Sequence, residues 1–578
     1  MPSLQIKDLL ARRRELVPVI APLGPARQFR FGQRYRRALA NITDQILAHA
    51  WAQVGGGSDA ALVVTGDNAR RIAGLYSEVD LHVISATPDP GFTTQLQQFL
   101  QETGIPFSLR AHRLEDFVPA VEPHAAGQVM LLESRWVAGN VGLAHAARQT
   151  MVTTWREGVA ENLPHMRRAA HERWEEYGDL SYQNEPHLRY CRGGLADLWL
   201  ARSFATGRLA QGIENELVES ETALLDIRDL LSLRTRTNQE RLVQNQQDYI
   251  ARTLGTAGGT LMQKLAAIAL GIETEVSKSL DLALSSSARQ LFTKALQIVR
   301  PMGAVGEVDE GVAIKDGQIS LAKKKALKDP TITLRIARAA VSVETTIEAK
   351  TVATLREASF PGETWTSEQR DIFLDFIIRP GLTRIWAQLD RENIPAKWFP
   401  QWQNIRFLPQ KNADHKFTVD LHSVTCAEIF VDLISGRRPS QMPQRENLPD
   451  KAVAALTGLF HNIGKDGTNT YVQRSVDKAE TILTALGLDP IQKQLVLQLI
   501  ANQRILPVFA LAKSLNPEKV AEASRAIGDS PDLLTALALF AEADAHAKGV
   551  EAAKAGRLRA IGDLVHMVAE LQTIGSGT

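Results

Sequence analysis

The stretch from Val64 to Ile84, VTGDNARRIAGLYSEVDLHVI, is where chemistry is first legible. A glycine turn follows an apolar run, two arginines follow the turn, and Glu78-Val79-Asp80 opens the next run. Side chains on a strand alternate, so Glu78 and Asp80 share a face while Val79 points into the core. Two carboxylates side by side repel unless a cation separates them. Mg²⁺, a hard ion that prefers oxygen ligands and substrate phosphates, is the usual occupant. Such a site can clamp a nucleotide and stabilise in-line displacement at phosphorus. The same pair also fits an ordinary solvated strand edge, and the spacing leaves both readings open.

Those residues need elements to hold them. Residues 27–55 read as a helix, with Leu39, Ile42, Ile46, Leu47 and Ala50 at helical spacing. Ala61 to Thr65 and Val79 to Ile84 read as two short buried strands, so a small α/β domain is expected over 1–150. Residues 151–300 are helical in pattern with few Gly or Pro, which predicts a helical bundle that includes one long helix over 224–255. Asp316-Gly317 signals a hairpin, because Gly readily takes φ > 0. Residues 301–404 are therefore expected to be hairpin and helical connector, and 405–572 a second helical region. The fold class is α+β, predominantly helical.

Composition narrows the function. Across 578 residues, 66 Lys and Arg face 65 Asp and Glu, so a net charge of +1 offers no field to nucleic acid or anionic lipid. Two cysteines, Cys191 and Cys426, exclude a disulfide framework and a Cys-rich zinc site. The opening MPSLQIKDLLARRREL is charged throughout and lacks the apolar segment of a secretion signal. No apolar run approaches the ~20 residues needed to span a bilayer. A cytoplasmic protein with no membrane and no nucleic-acid partner is expected.

Four stretches carry a family likeness. Gly66, Arg70, Ser77, Asp80 and Leu81, with Arg71 beside them, keep the frame of a Gly-Gly-aromatic-Gly-Arg signature followed by Asp-x-Asp. Leu131-Leu132-Glu133-Ser134-Arg135 and NEPHLRYCRGGLADL (184–198) are two more motifs. HKFTVDLHSV (415–424) and GLFHNIGKDG (458–467), with AEADAHA around Asp544, make the last. On these residues the chain resembles the bacterial PII uridylyltransferase/uridylyl-removing enzymes. The resemblance implies a nucleotidyltransferase-like α/β domain, a helical bundle and an all-α HD-like hydrolase domain. It also implies that Glu78 and Asp80 are catalytic and hold Mg²⁺. Gly66, Arg70, Arg71 and Ser77 would then meet a nucleoside triphosphate, and His422, His461 and Asp544 a divalent metal. Family members usually continue into two glutamine-sensing ACT domains, so direct glutamine sensing by that route is not expected here.

The departures from the pattern have physical content. Asp67, Asn68 and Ala69 stand where the signature has glycine, an aromatic and glycine, and Glu78 stands at the first aspartate. Glycines there let backbone N–H groups approach a triphosphate. Asp67 is expected to add a negative charge facing phosphates, a repulsion of about 4 kcal/mol at ~4 Å and an effective dielectric of ~20. His124 stands at the place of a third aspartate. In the HD-like region Asn462 replaces the Asp of the His-Asp pair, and Tyr471 and Gln503 fall where two further histidines belong. Asn removes a formal charge and the others remove nitrogen donors, so a metal is not expected there. The expectation is a member of the family with both sites degraded, binding a PII-type signalling protein or a nucleotide. The alternatives are an active Mg²⁺-dependent uridylyl- or adenylyltransferase acting on PII, and residual phosphohydrolase activity.

Overall fold

The computed structural model describes residues 4–16, 32–117, 132–210, 215–294, 306–411, 415–443, 447–466, 468, 470–510, 516–528, 530–549 and 552–575. His124 and Leu131 lie outside the described residues. The chain divides into two units, Met1–Ile298 and Val299–Thr578. Each is largely helical and carries one small sheet, an α+β architecture.

In the first unit, α1 (Leu4–Glu15) and α2 (Gly32–Gln53) precede β1 (Ala60–Val64), the helical turn α3 (Gly66–Ala69), β2 (Val79–Ser85), α4 (Pro90–Gln101), β3 (Phe107–Arg113) and β4 (Arg135–Gly139). The sheet order is β3-β2-β1-β4. β1 pairs antiparallel with β2 and β4, and β2 runs parallel to β3 with Asp80 opposite Ser108. β1 is apolar throughout because both of its faces are covered. Leu62 and Val64 share a core with Ile42, Ile46 and Leu47 of α2, while Ala61 and Val63 join the core of the bundle.

That bundle consists of α5 (Val141–Tyr177), α6 (Leu195–Thr206), α7 (Asn215–Thr235), α8 (Gln244–Thr253) and α9 (Gly258–Lys294). The expected divide at residue 150 falls inside α5, whose Met151, Trp155, Val159 and Leu163 bury one continuous stripe. The long helix expected over 224–255 is in fact two. Arg236 turns left-handed at φ 57°, and an extended strip then pairs with residues 186–188, Glu240 O accepting from Leu188 N and Leu242 N donating to Pro186 O. TRTNQERLV contains no Gly or Pro, so its helical spacing predicts continuity where tertiary pairing breaks it.

The second unit opens with an antiparallel sheet of β5 (Gly306–Asp309), β6 (Val312–Lys315) and β7 (Gln318–Leu321). The Asp316-Gly317 hairpin joins β6 to β7, with φ of 49° and 76° at its two central residues, as a type I′ turn requires. Helices α10 (Ile332–Ser342), α11 (Ala349–Leu355), α12 (Ser367–Ile377), α13 (Leu382–Asp390) and α14 (Ile394–Trp398) follow. Next come α15 (Val419–Ile434), α16 (Lys451–Phe460), α17 (Tyr471–Ala485), α18 (Pro490–Asn502), α19 (Ile505–Ala510), α20 (Pro517–Ile527), α21 (Pro531–Lys548) and α22 (Ala555–Gly575). One core joins Trp386 and Trp398 of the connector to Phe430, Phe460 and Phe540 of the later helices. Helices α15 and α16 cross closely at Gly458, where a Cβ would stand 2.5 Å from the backbone nitrogen of Ala427. No helix among the described residues is long and apolar enough to cross a membrane.

Candidate functional site

The first cluster is built on the turn between β1 and β2. Gly66 leaves β1 with φ 56°, a conformation that suits glycine. Asn68 then ties the turn to the start of β2, donating from Nδ2 to Glu78 O at 3.0 Å. Ser77 is buried and its Oγ accepts from Gly74 N at 3.0 Å, so the hydroxyl closes the loop. Alternation along β2 places Val79 in the core, Glu78 in solvent and Asp80 half-buried. Burial first, and then the charge of Glu78, raises the Asp80 carboxyl above its ordinary range.

Both arginines of the turn are engaged within the protein. Arg70 pairs with Glu133 at 3.1 Å and with Glu221, which also holds Arg202 through two contacts of 2.8 and 2.6 Å. Arg71 reaches Asn41 and Asp44. Arg135 forks onto Asp44 at 2.8 and 2.9 Å and donates to the carbonyls of Asn68 and Ala69. Glu133 and Arg135 therefore buttress the turn.

Asp67 is not the bare charge that its position in the sequence predicts. Its Oδ2 accepts from Arg189 Nη2 at 2.8 Å and from Arg228 Nη1 at 3.1 Å. Burial opposes the charged form, yet the two arginines, aided by Arg70, hold its carboxyl down to about 2. The expected repulsion is thus replaced by internal ion pairs. Arg189 also forks onto Glu240 at 2.6 to 2.8 Å, and Arg228 holds Asp229 at 2.9 Å. Arg36 joins the same cluster at 2.7 Å from both Asp226 and Asp229.

The second cluster lies where α15, α16 and α21 meet. His422 Nε2 is 3.0 Å from Asp544 Oδ1 and His461 Nε2 is 3.7 Å from it. Among the described residues these three form the one convergent group of possible metal ligands, and no third such side chain joins Glu78 and Asp80. Tyr471 and Gln503 are at the same place, the Tyr471 ring 5.5 Å from Lys465 Nζ and Gln503 Nε2 donating to His461 O at 2.9 Å.

The ligand atoms of these three lie within 4.8 Å of one another, and each residue also has partners within the protein. Asp544 also pairs with Lys548, one turn along α21, so its charge is already compensated. His461 Nδ1 is 2.8 Å from Gly458 O and its Nε2 is 2.7 Å from Asn462 Nδ2, while His422 directs Nε2 at Asp544. The nitrogens that face the centre are spoken for. Burial lowers His422 to about 4, and burial with the charge of His422 beside it lowers neighbouring His415 to about 3. Burial also brings Lys465, which holds Gln410, down to about 8.

The sequence pattern singles out neither Arg228, Glu240 nor Lys548. One signal was available: LLDIRDLL in α7 places Asp226, Arg228 and Asp229 in an otherwise apolar run, too many charges for one solvated stripe.

No family model matches the chain. It is 29% identical over 562 residues to the bifunctional uridylyltransferase/uridylyl-removing enzyme of Streptomyces coelicolor, which covers 93% of this chain and 65% of that protein. The protein of the same name in Mycobacterium tuberculosis is 29% identical over 445 residues, 72% of this chain and 52% of the relative. That of Stutzerimonas stutzeri is 23% identical over 552 residues, 88% and 60%. The chain spans between about half and two thirds of the length of these curated relatives.

Proposed function

Because the chain is a homologue of the bifunctional uridylyltransferase/uridylyl-removing enzymes, we propose that it works in nitrogen signalling as a cytoplasmic binding protein, docking a PII-type protein without adding or removing a nucleotide. In this reading residues 1–150 are the nucleotidyltransferase-like part, 151–300 the bundle, 301–404 the connector and 405–572 the HD-like part. The observation that carries it is Asp67, which sits in the turn where a triphosphate needs glycine and takes up the cations of Arg189 and Arg228. Arg70, bound to Glu133 and Glu221, is likewise occupied. The HD-like cluster supports the same conclusion, since Lys548 compensates Asp544 and Asn462 caps His461.

A second reading keeps one observation in its favour. Glu78 and Asp80 still share a face, and the Asp80 carboxyl is raised by burial first and then by the charge of Glu78, which a cation would offset. Mg²⁺ fits those two side chains, where it would supply charge neutralisation for uridylyl or adenylyl transfer from a nucleoside triphosphate. Phosphohydrolase chemistry at His422, His461 and Asp544 has no comparable support.

Gel filtration with a PII-type protein encoded in the same genome tests the proposal. The two proteins are expected to co-elute, in amounts independent of added Mg²⁺ and UTP. Separate elution under every condition contradicts a docking role.

A further inference from the structure

β3 ends the sheet of the first unit: one of its edges pairs with β2 and, among the described residues, no strand pairs with the other. The two ends of the β2–β3 ladder fix which groups face out. Val79 N donates to Pro106 O at 2.9 Å, and Leu114 N donates to Ser85 O at 3.0 Å. A parallel ladder alternates with period two, so Ser108, Arg110 and His112 bond inward to β2. Phe107, Leu109 and Ala111 then turn their N–H and C=O groups outward. Such a row of main-chain groups is a template for one more strand. Beside it lies a groove of about 590 Å³, with Gln97 and Gln101 of α4 on one wall and half-buried Phe107 and Leu109 on the other. A strand edge flanked by a helix offers an extended chain both main-chain partners and side-chain contacts.

The far end of the edge sets the charge of its occupant. Arg110 and Arg113 are both exposed there. Among the described residues Arg110 makes no ion pair, and Arg113 meets the exposed Glu115 at 3.5 Å. A second copy of this strand would bring the same arginines and meet them with like charge, whereas an acidic segment would neutralise them. We propose that the outer edge of β3 is a strand-addition site for an extended, acidic segment of a protein partner. The proposal deepens the docking reading given above and rests on it, naming the surface of the first unit that the partner would use.

Proline at position 111 tests this, because Ala111→Pro deletes an outward N–H and leaves the bonds to β2 in place. In calorimetric titration of the full chain with the PII-type protein encoded in the same genome, Ala111→Pro is expected to weaken binding at least about tenfold, the cost of one main-chain acceptor left unpaired. Ala111→Ser keeps the N–H and should bind as the wild type does, while Arg110→Glu should also weaken binding. In the wild-type complex the Leu109 and Ala111 amides should exchange hydrogen more slowly than in the free chain. Should the melting curve show that Ala111→Pro does not fold, this exchange decides. Equal affinity of Ala111→Pro and the wild type overturns the proposal and leaves the docking reading intact, as do amides that exchange equally fast in the complex. A wild type that binds no PII-type protein ends the docking reading and this proposal with it. A wild-type dimer that Ala111→Pro converts to a monomer assigns the edge to a second copy and likewise overturns it.

Discussion

In the first unit a carboxylate, Asp67, lies among Arg189, Arg228 and Arg70; in the second an ammonium, Lys548, lies against Asp544 beside His422 and His461. Each cluster carries its own internal counter-charge, a carboxylate among arginines in one and an ammonium against a carboxylate in the other. They differ in redundancy. The arginines around Asp67 keep other acids, Glu240 and Asp229, whereas Asp544 has one ammonium directly on it. A buried charge with one partner depends on that partner far more than a charge inside a network does.

That difference sets the order of effects. Lys548→Met leaves the buried Asp544 carboxylate with only its histidine contacts and should cost about 3–5 kcal/mol in the second unit, read by hydrogen exchange during urea titration. Mn²⁺ should recover part of this loss in the variant and add nothing to the wild type; an equal response in both would break the parallel between the clusters. Asp67→Asn should cost the first unit less, about 1–2 kcal/mol, because Glu240 and Asp229 still neutralise the arginines. A loss as large as that of Lys548→Met would show that the network is not redundant.

Acid should reveal effects that are small near neutrality and grow as pH falls. The Asp67 carboxyl is held at about 2 against an ordinary 3.8, so its stabilisation is complete above about pH 4 and disappears only between 4 and 2. Asp67→Asn should therefore leave the slope of stability between pH 7 and 4 unchanged. His82 behaves differently. Burial, with the charges of His112 and Arg110, pushes it down to about 3, so the unfolded chain takes up its proton near 6.5 while the fold refuses it. Stability should fall as pH drops below about 6.5, by at most about 1.4 kcal/mol per unit, and His82→Gln should flatten that slope in the first unit.

Much of the scaffold was legible because it is local. Alternation in VDLHVI placed Asp80 and Val79 on opposite faces, and Asp316-Gly317 placed its hairpin. His422, His461 and Asp544 were found through their motifs and do converge. The counter-charges were not legible. Asp67 meets Arg189 across 122 residues and Arg228 across 161, and no spacing rule spans such distances. Lys548 lies one helical turn from Asp544, but an i, i+4 pair reads as a solvated surface bridge until burial is known. The break after Thr235 escaped for a similar reason, since only pairing with Pro186 and Leu188 places Glu240 on Arg189.

Incubating the full chain with a PII-type protein, Mg²⁺ and α-labelled UTP or ATP, and following label on the partner, tests most directly whether these internal counter-charges have ended turnover. The account predicts a complex that stays unlabelled. Label that accumulates on the partner and is lost in Asp80→Ala would contradict it.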